Sequence, residues 1–326
     1  MRSSIHPDPH REGLLLDTYR GELVDRIVRF LPQDGRKEPL PGLHLVRLSS
    51  PTNLYHSVFE PAFCVVAQGC KEVWVGNRRF RYDPYHYLIA TLGLPAASRV
   101  VEASSRRPYL TARLDLDPVV ISSILMETGY VPPKRGSSEV SAFDVSLLNL
   151  DLLDAVVRLL RLAETPAEAA VLAPLVTREI VFRLLQGEQG SRLRQLAVVN
   201  GQRHRVAHAI ERIRREFTRP VRVERLAREV GMSVSAFYQR FRAVTGMSPL
   251  QFQKRLRLNE ARRLMITQDL DAATAALEVG YESPSYFSRE YKRLFGAPPA
   301  TDVQEFRRTW TGGGEEVSRR FQAGRS

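Results

Sequence analysis

The chain has 326 residues, 43% of them hydrophobic and 26% charged, with a net charge of +12 and two cysteines. This is the composition of a soluble globular protein long enough for two domains. It argues against a disulfide framework, and the absence of any apolar run near the roughly 20 residues of a membrane span argues against a transmembrane helix. The start, Met1-Arg-Ser-Ser-Ile-His-Pro7, lacks the apolar core of a signal peptide, so a reducing, cytoplasmic location is expected. The charge is unevenly placed. Residues 1–190 hold 22 basic and 22 acidic side chains, whereas residues 191–310 hold 23 basic and 12 acidic ones. A basic excess confined to one region is the footprint expected of a phosphate-binding surface.

In chain order, residues 1–40 suggest a loose arm with one helix, marked by Leu16, Tyr19, Leu23 and Ile27 and stopped after Pro32. From Leu43 to Leu116 the period becomes that of strands: 44–48, 62–68, 72–75, 79–82, 86–90, 98–103 and 109–116, with a tight hairpin turn at 75–78. Short strands without intervening helices predict an antiparallel barrel or double-sheet roll. Asp117-Pro118 opens a helix ending at Gly129, and a loop follows at 131–138. Two apolar-striped helices come next, the first through Leu148, Leu152, Val156 and Leu159, the second through Leu172, Ile180 and Leu184. Such helices cover an open barrel face or pack on a second subunit, and a homodimer is expected. Residues 187–203 suggest a linker between an N-terminal regulatory domain (1–186) and a helical domain (204–310), with a tail at 311–326.

The helical region carries one plan twice, about fifty residues apart. An amphipathic helix over 204–217 precedes both copies. In the first copy a short helix (223–230), Gly231, a capping Ser233 and a helix to Thr245 follow one another. In the second, Asp271 caps a short helix, Gly280 turns the chain, and Ser283-Pro284 opens a helix closed by Gly296. This is the helix-turn-helix plan, whose second helix enters the DNA major groove. Phe237 and Phe241 in one copy, and Phe287 and Tyr291 in the other, read as core pairs. A long helix from Ser248-Pro249 to about Ile266 separates the copies, and its Lys254, Arg255, Arg257, Arg262 and Arg263 suit solvated charge or phosphate contacts. The overall class is therefore α+β: a barrel with trailing helices, then an all-α tandem helix-turn-helix domain.

The stretches Arg225-Leu-Ala, Val230-Gly-Met-Ser, Thr245-Gly-Met-Ser-Pro249, Arg257-Leu-x-x-Ala261 and 280–299 resemble the AraC/XylS family of bacterial transcription regulators. Phe59–Lys71, 87–90 and 107–110 resemble that family's AraC-type N-terminal regulatory domain. The resemblance implies a cupin-like barrel for effector sensing and dimerisation, and two reading heads in successive major grooves of a promoter operator. By position it places base reading on Ser235, Tyr238 and Gln239 in the first copy and on Ser285, Ser288 and Arg289 in the second. Arg289 is the strongest candidate, because an arginine in a groove helix can bond a guanine edge bidentately. Phosphate contacts are expected from Arg242, Lys254, Arg255, Arg262, Lys292 and Arg293. Double-stranded DNA, RNA polymerase and an unidentified small-molecule effector are the expected partners.

Two other functions compete. A metal-dependent cupin enzyme needs several histidines and a glutamate converging, whereas His44, His56 and His86 are scattered, so neither catalysis nor a cofactor or metal is expected. A redox or electrophile switch would use Cys64 or Cys70. Cys64 alternates with Val66 and reads as a buried thiol, while Cys70, beside Lys71, is the better sensor candidate.

Overall fold

The computed structural model describes residues 9–129, 141–197 and 205–310. Helix α1 (Pro9–Phe30) leads into strands β1 (Gly35–Leu40), β2 (Leu43–Leu48), β3 (Tyr55–Phe59), β4 (Ala62–Gln68), β5 (Cys70–Val75), β6 (Arg78–Tyr82), β7 (His86–Ala90), β8 (Leu94–Glu102) and β9 (Tyr109–Asp115). Then come α2 (Pro118–Glu127), β10 (Phe143–Leu147), α3 (Leu150–Leu162), α4 (Pro166–Gln186) and α5 (Gly190–Ala197). The strands form two antiparallel sheets, ordered β1-β2-β9-β4-β7-β10 and β3-β8-β5-β6.

Strand alternation builds two cores from one sheet. In β4, Phe63, Val65 and Ala67 join Leu23 and Ile27 of α1, Leu153 and Val157 of α3 and Ile180 and Leu184 of α4. Cys64 and Val66 point the other way, into the space between the sheets, with Val73, Tyr82 and Tyr109. The trailing helices thus cover the six-stranded sheet through the first stripe and through Ile180 and Leu184 of the second, while Leu172 of the second stripe is 40% exposed and lies outside this core.

Four features depart from the sequence reading. The helix expected in the N-terminal arm is present as α1, but the arm is not loose there, since Leu23 and Ile27 are fully buried on the sheet. Strand β1 lies where a stop was expected. Its Arg36-Lys-Glu-Pro39 is polar because it is a mostly exposed edge strand, the place where a proline is tolerated. Strands β3 and β10 are further additions: β3 is half-buried along its whole length, and in β10 burial runs against the sequence alternation, with Ser146 buried and Leu147 exposed. The segment expected as linker begins with α5, which buries Leu193 completely against the first core. The loop at 131–138 and the tail at 311–326 fall outside the described residues.

The C-terminal region comprises α6 (Arg205–Arg215), α7 (Val223–Glu229), α8 (Val234–Thr245), α9 (Pro249–Thr267), α10 (Ala272–Glu278), α11 (Pro284–Phe295) and α12 (Pro299–Trp310). The punctuation residues act as read. Ser233 accepts from the Ala236 amide, Ser283 from the Tyr286 amide, and Asp271 from the Ala273 and Thr274 amides. Ser248 and Gln251 form a reciprocal capping box at the start of α9. Gly231 and Gly280 hold φ of +62° and +85° at the two turns, a conformation that costs a β-carbon-bearing residue more than glycine. In the first helix-turn-helix Phe237 and Phe241 pack with tilted rings, and Phe241 meets Phe252 of α9 edge to face, while Tyr281, Phe287 and Tyr291 belong to the second core.

The helical region docks on the four-stranded sheet at two places. The tip of the β5–β6 hairpin meets the end of α8: a β-carbon on Gly76 would stand 2.2 Å from the Gly246 carbonyl oxygen. Beside it, the Ala142 amide donates to the Val244 carbonyl at 3.3 Å. At the edge strand β3, Tyr55 stacks on Phe306 and His56 meets Phe295 edge-on at 5.4 Å. Arg214 of α6 makes a two-pronged ion pair to Glu60 at 2.6 and 2.8 Å. The edge strand is thereby covered rather than left open for pairing.

Candidate nucleic-acid interface

Helices α8 and α11 occupy equivalent places in the two motifs, and their burial patterns separate core from surface. Phe237 and Phe241, like Phe287 and Tyr291, are fully buried. The residues between them face outward. Ser235 and Gln239 are exposed on α8, and Tyr238 is half-buried, resting its ring on the core. On α11, Ser285 and Arg289 are exposed and Ser288 is partly buried. The sequence therefore assembles two short polar surfaces, one per motif.

The expected phosphate contacts divide by what they touch. Arg242 and Lys292 are exposed, with no ion-pair partner among the described residues, so their charge is free to meet an anion. Arg293 is 69% exposed and pairs with Glu290 at 2.7 Å, a contact that water screens. Lys254 pairs with the buried Glu290 at 2.5 Å and links α9 to α11. Arg255 lies beside His56, where burial lowers its pKa.

Arg262 is not a surface group at all. Its guanidinium grips Asp302 of α12 through two bonds at 2.6 and 2.9 Å, with side-chain exposures of 11% and 13%. The rings of Tyr55, Phe295 and Phe306 each lie between 5.1 and 5.2 Å from it, and the Tyr291 hydroxyl donates to the same carboxylate at 2.7 Å. The expectation that Arg262 contacts phosphate is corrected: it is an interior strut joining α9, α12 and β3. Helical spacing alone cannot see Asp302, forty residues away.

Arg257 has a comparable role. It donates to the carbonyls of Phe217, Thr218 and Gly280 at 2.7, 2.7 and 2.8 Å, tying the end of α6 to the turn of the second motif. One group escaped the sequence reading. Tyr286 is 45% exposed at the start of α11, with the Arg289 guanidinium 6.0 Å over its ring. An aromatic in a motif dominated by buried aromatics gives no sign that it faces water.

The N-terminal candidates fare differently. Cys64 is buried and its thiol is pushed up to about 11, by desolvation first. Cys70 is fully buried too. Desolvation raises its pKa although Arg81 Nε stands 3.1 Å from Sγ and acts in the opposite direction. Neither thiol has the exposed, thiolate-favouring setting of a reactive cysteine. The three histidines stay apart: His44 meets Asp115 at 3.1 Å, His86 meets Asp83 at 2.7 Å, and His56 lies at the joint with the helical region. Among the described residues no three His, Cys, Asp or Glu side chains are grouped to hold a metal.

Comparison with known proteins agrees with this architecture. Residues 39–192 match the AraC-type transcriptional regulator N-terminus, and residues 226–305 match a helix-turn-helix domain. The thermoregulatory protein LcrF of Yersinia pestis is 24% identical over 212 residues, covering 64% of this chain and 78% of LcrF. The transcriptional regulator CdhR of Pseudomonas aeruginosa is 31% identical over 137 residues, 42% of this chain and 41% of CdhR. Wild-type ToxT of Vibrio cholerae, solved with an unsaturated fatty acid bound, has the same fold at a TM-score of 0.55 and 14% identity, covering 84% of this chain and 97% of ToxT. With both modules matched in this order, and outward polar surfaces on both reading helices, the chain belongs to the AraC family of transcriptional regulators.

Proposed function

We propose that this regulator reads two successive major grooves on one face of promoter DNA, α8 entering one and α11 the next. The observation that carries the reading is the exposure of Ser235, Gln239, Ser285 and Arg289, with the partly exposed Tyr238 and Ser288 among them, on two capped helices joined by α9. The 19 residues of α9 span roughly 28 Å. That suits helices entering grooves about one turn, ~34–36 Å, apart. Arg289 reads a base edge, most favourably guanine; Arg242 and Lys292 meet phosphates, and Lys254 and Arg293 do so at the expense of Glu290. The division is residues 1–186 for sensing and dimerisation, 187–203 as connection, with α5 packed on the first core, and 204–310 for DNA. The signal is a small molecule, since both thiols are shielded. A cytoplasmic homodimer acting with RNA polymerase, without enzymatic activity, completes the proposal.

The deciding experiment is selection of bound sequences from random duplex, followed by hydroxyl-radical footprinting of the best. Two protected patches about one helical turn apart on one face support the reading; a single patch, or no preferred sequence, overturns it.

A further inference from the structure

A cleft of about 540 Å³ opens between the edge strand β3 and the long helix α9, within the range of ~300–1,000 Å³ of small-molecule sites. One wall is Tyr55-His-Ser-Val58; the other includes Leu256, Asn259 and Ile266, and Phe217 and Phe306 also line the cleft. Its charged residues are largely engaged already. Arg214 is paired with Glu60, Arg263 is held by both oxygens of Glu260, and Arg262 is held by Asp302. An ionic guest would have to break one of these pairs or bring an unmatched charge into a partly desolvated site.

Each wall offers a polar atom with no protein hydrogen bond among the described residues: the Asn259 carbonyl oxygen is buried, and the His56 ring is partly exposed. His56 has no hydrogen-bond partner among the described residues. Burial, then Arg255 and Arg262, push its pKa down to about 4, so the ring is neutral and offers one acceptor and one donor. Asn259 is 9% exposed. Its amide donates to the Arg255 carbonyl at 2.8 Å, and its Oδ1 has no partner. A buried acceptor left bare is a cost that a donor on a guest would remove.

We propose that this cleft binds an uncharged, amphipathic small molecule carrying at least one hydrogen-bond donor, anchored at His56 with its apolar body against Leu256, Ile266 and Phe306. The inference rests on the reading of the chain as an effector-responsive regulator and places the effector at the rim of the barrel. A guest seated there touches β3 and α9 at once, and α9 carries both reading helices.

The test uses two fluorophores sharing one skeleton. N-phenyl-1-naphthylamine is neutral with a single N–H donor; 1-anilinonaphthalene-8-sulfonate adds an anionic group. The full chain is expected to bind the neutral probe saturably, one per chain, and the sulfonate at least about tenfold more weakly. His56→Leu should weaken the neutral probe about fivefold. Ile266→Trp should abolish its binding by filling the cleft, and Ser57→Trp does the same from the other wall should the first variant fail to fold. No saturable binding, equal affinity for both probes, or binding indifferent to both filling variants overturns the proposal. Affinity for the selected DNA, measured on the same preparations, separates the two readings. Retained DNA binding without probe binding sinks only the effector site, and lost DNA binding in the unmodified chain sinks the regulator reading itself.

Discussion

Replacing Arg262 with alanine tests the strut directly. The substitution removes both bonds to Asp302 and the stacking on three rings, and leaves a carboxylate that is 13% exposed with only the Tyr291 hydroxyl for company. Breaking one side of a buried ion pair costs about 3–5 kcal/mol, because the stranded charge keeps its desolvation penalty. For a region of about a hundred residues, ~3 kcal/mol corresponds to a fall in Tm of roughly 10 °C or more. Arg262→Lys keeps the charge and loses the two-pronged geometry, so about half that loss is expected. Urea unfolding followed by circular dichroism reads the stability. Operator titrations at several salt concentrations, run where both proteins are folded, read the DNA contacts. The slope of log affinity against log salt should be unchanged, since a phosphate contact contributes about 0.9 to it. Unaltered stability together with a slope reduced by about one would return Arg262 to the DNA surface and refute the strut.

Other expectations follow from single residues. Arg289→Ala should cost about 1–3 kcal/mol on the selected operator and much less on random duplex, flattening choice at one base position; equal losses on both would make Arg289 a phosphate contact. Lys71 lies on the inward side of β5 with Val73, its ammonium disfavoured by burial and then by Arg113 and Arg36, and it has no ion pair among the described residues. Lys71→Met should therefore raise the urea midpoint, and a lowered midpoint would show that the charge is balanced. His56 prefers to be neutral in the fold, with a value of about 4 against 6.5 when unfolded, so its contribution is complete above pH 6.5 and is lost as pH falls from 6.5 to 4. The loss is at most about 1.4 kcal/mol per pH unit, and His56→Gln should flatten that part of the stability–pH curve; parallel curves would discount it. Gly76→Val would press a side chain into the Gly246 backbone and should separate barrel from helical region, seen as a larger radius of gyration in small-angle X-ray scattering with an unchanged circular dichroism spectrum; an unchanged radius would show that the hairpin tip is not part of the joint.

Much of this was legible beforehand because it rests on local rules. Ser233, Ser283 and Asp271 cap helices by bonding amides two or three residues away, and such signals survive in any sequence window. The core pairs followed from one-turn spacing. What escaped depends on distant partners. Arg262 looks like Arg242 on a helical wheel, and only the chain's return through α12 to place Asp302 distinguishes them. Strand β1 is polar because it lies at a sheet edge, and α5 is amphipathic over too few residues to stand out from a linker. Cys70 looked reactive beside Lys71 in sequence, whereas the strand turns the thiol toward Arg81 and into burial.

The barrel grips the reading apparatus at two separated points, the hairpin tip on the end of α8 and the edge strand on α11 and α12. A body fastened at both points resists twisting of one motif against the other. If each motif reads its own groove, as proposed, the intact joint should permit only one rotational phase between the two half-sites. Inserting five base pairs between them, about half a DNA turn, should then be punished far more severely than inserting ten. Releasing the barrel should soften that discrimination, giving the molecule a ruler whose stiffness is under the control of the sensing half.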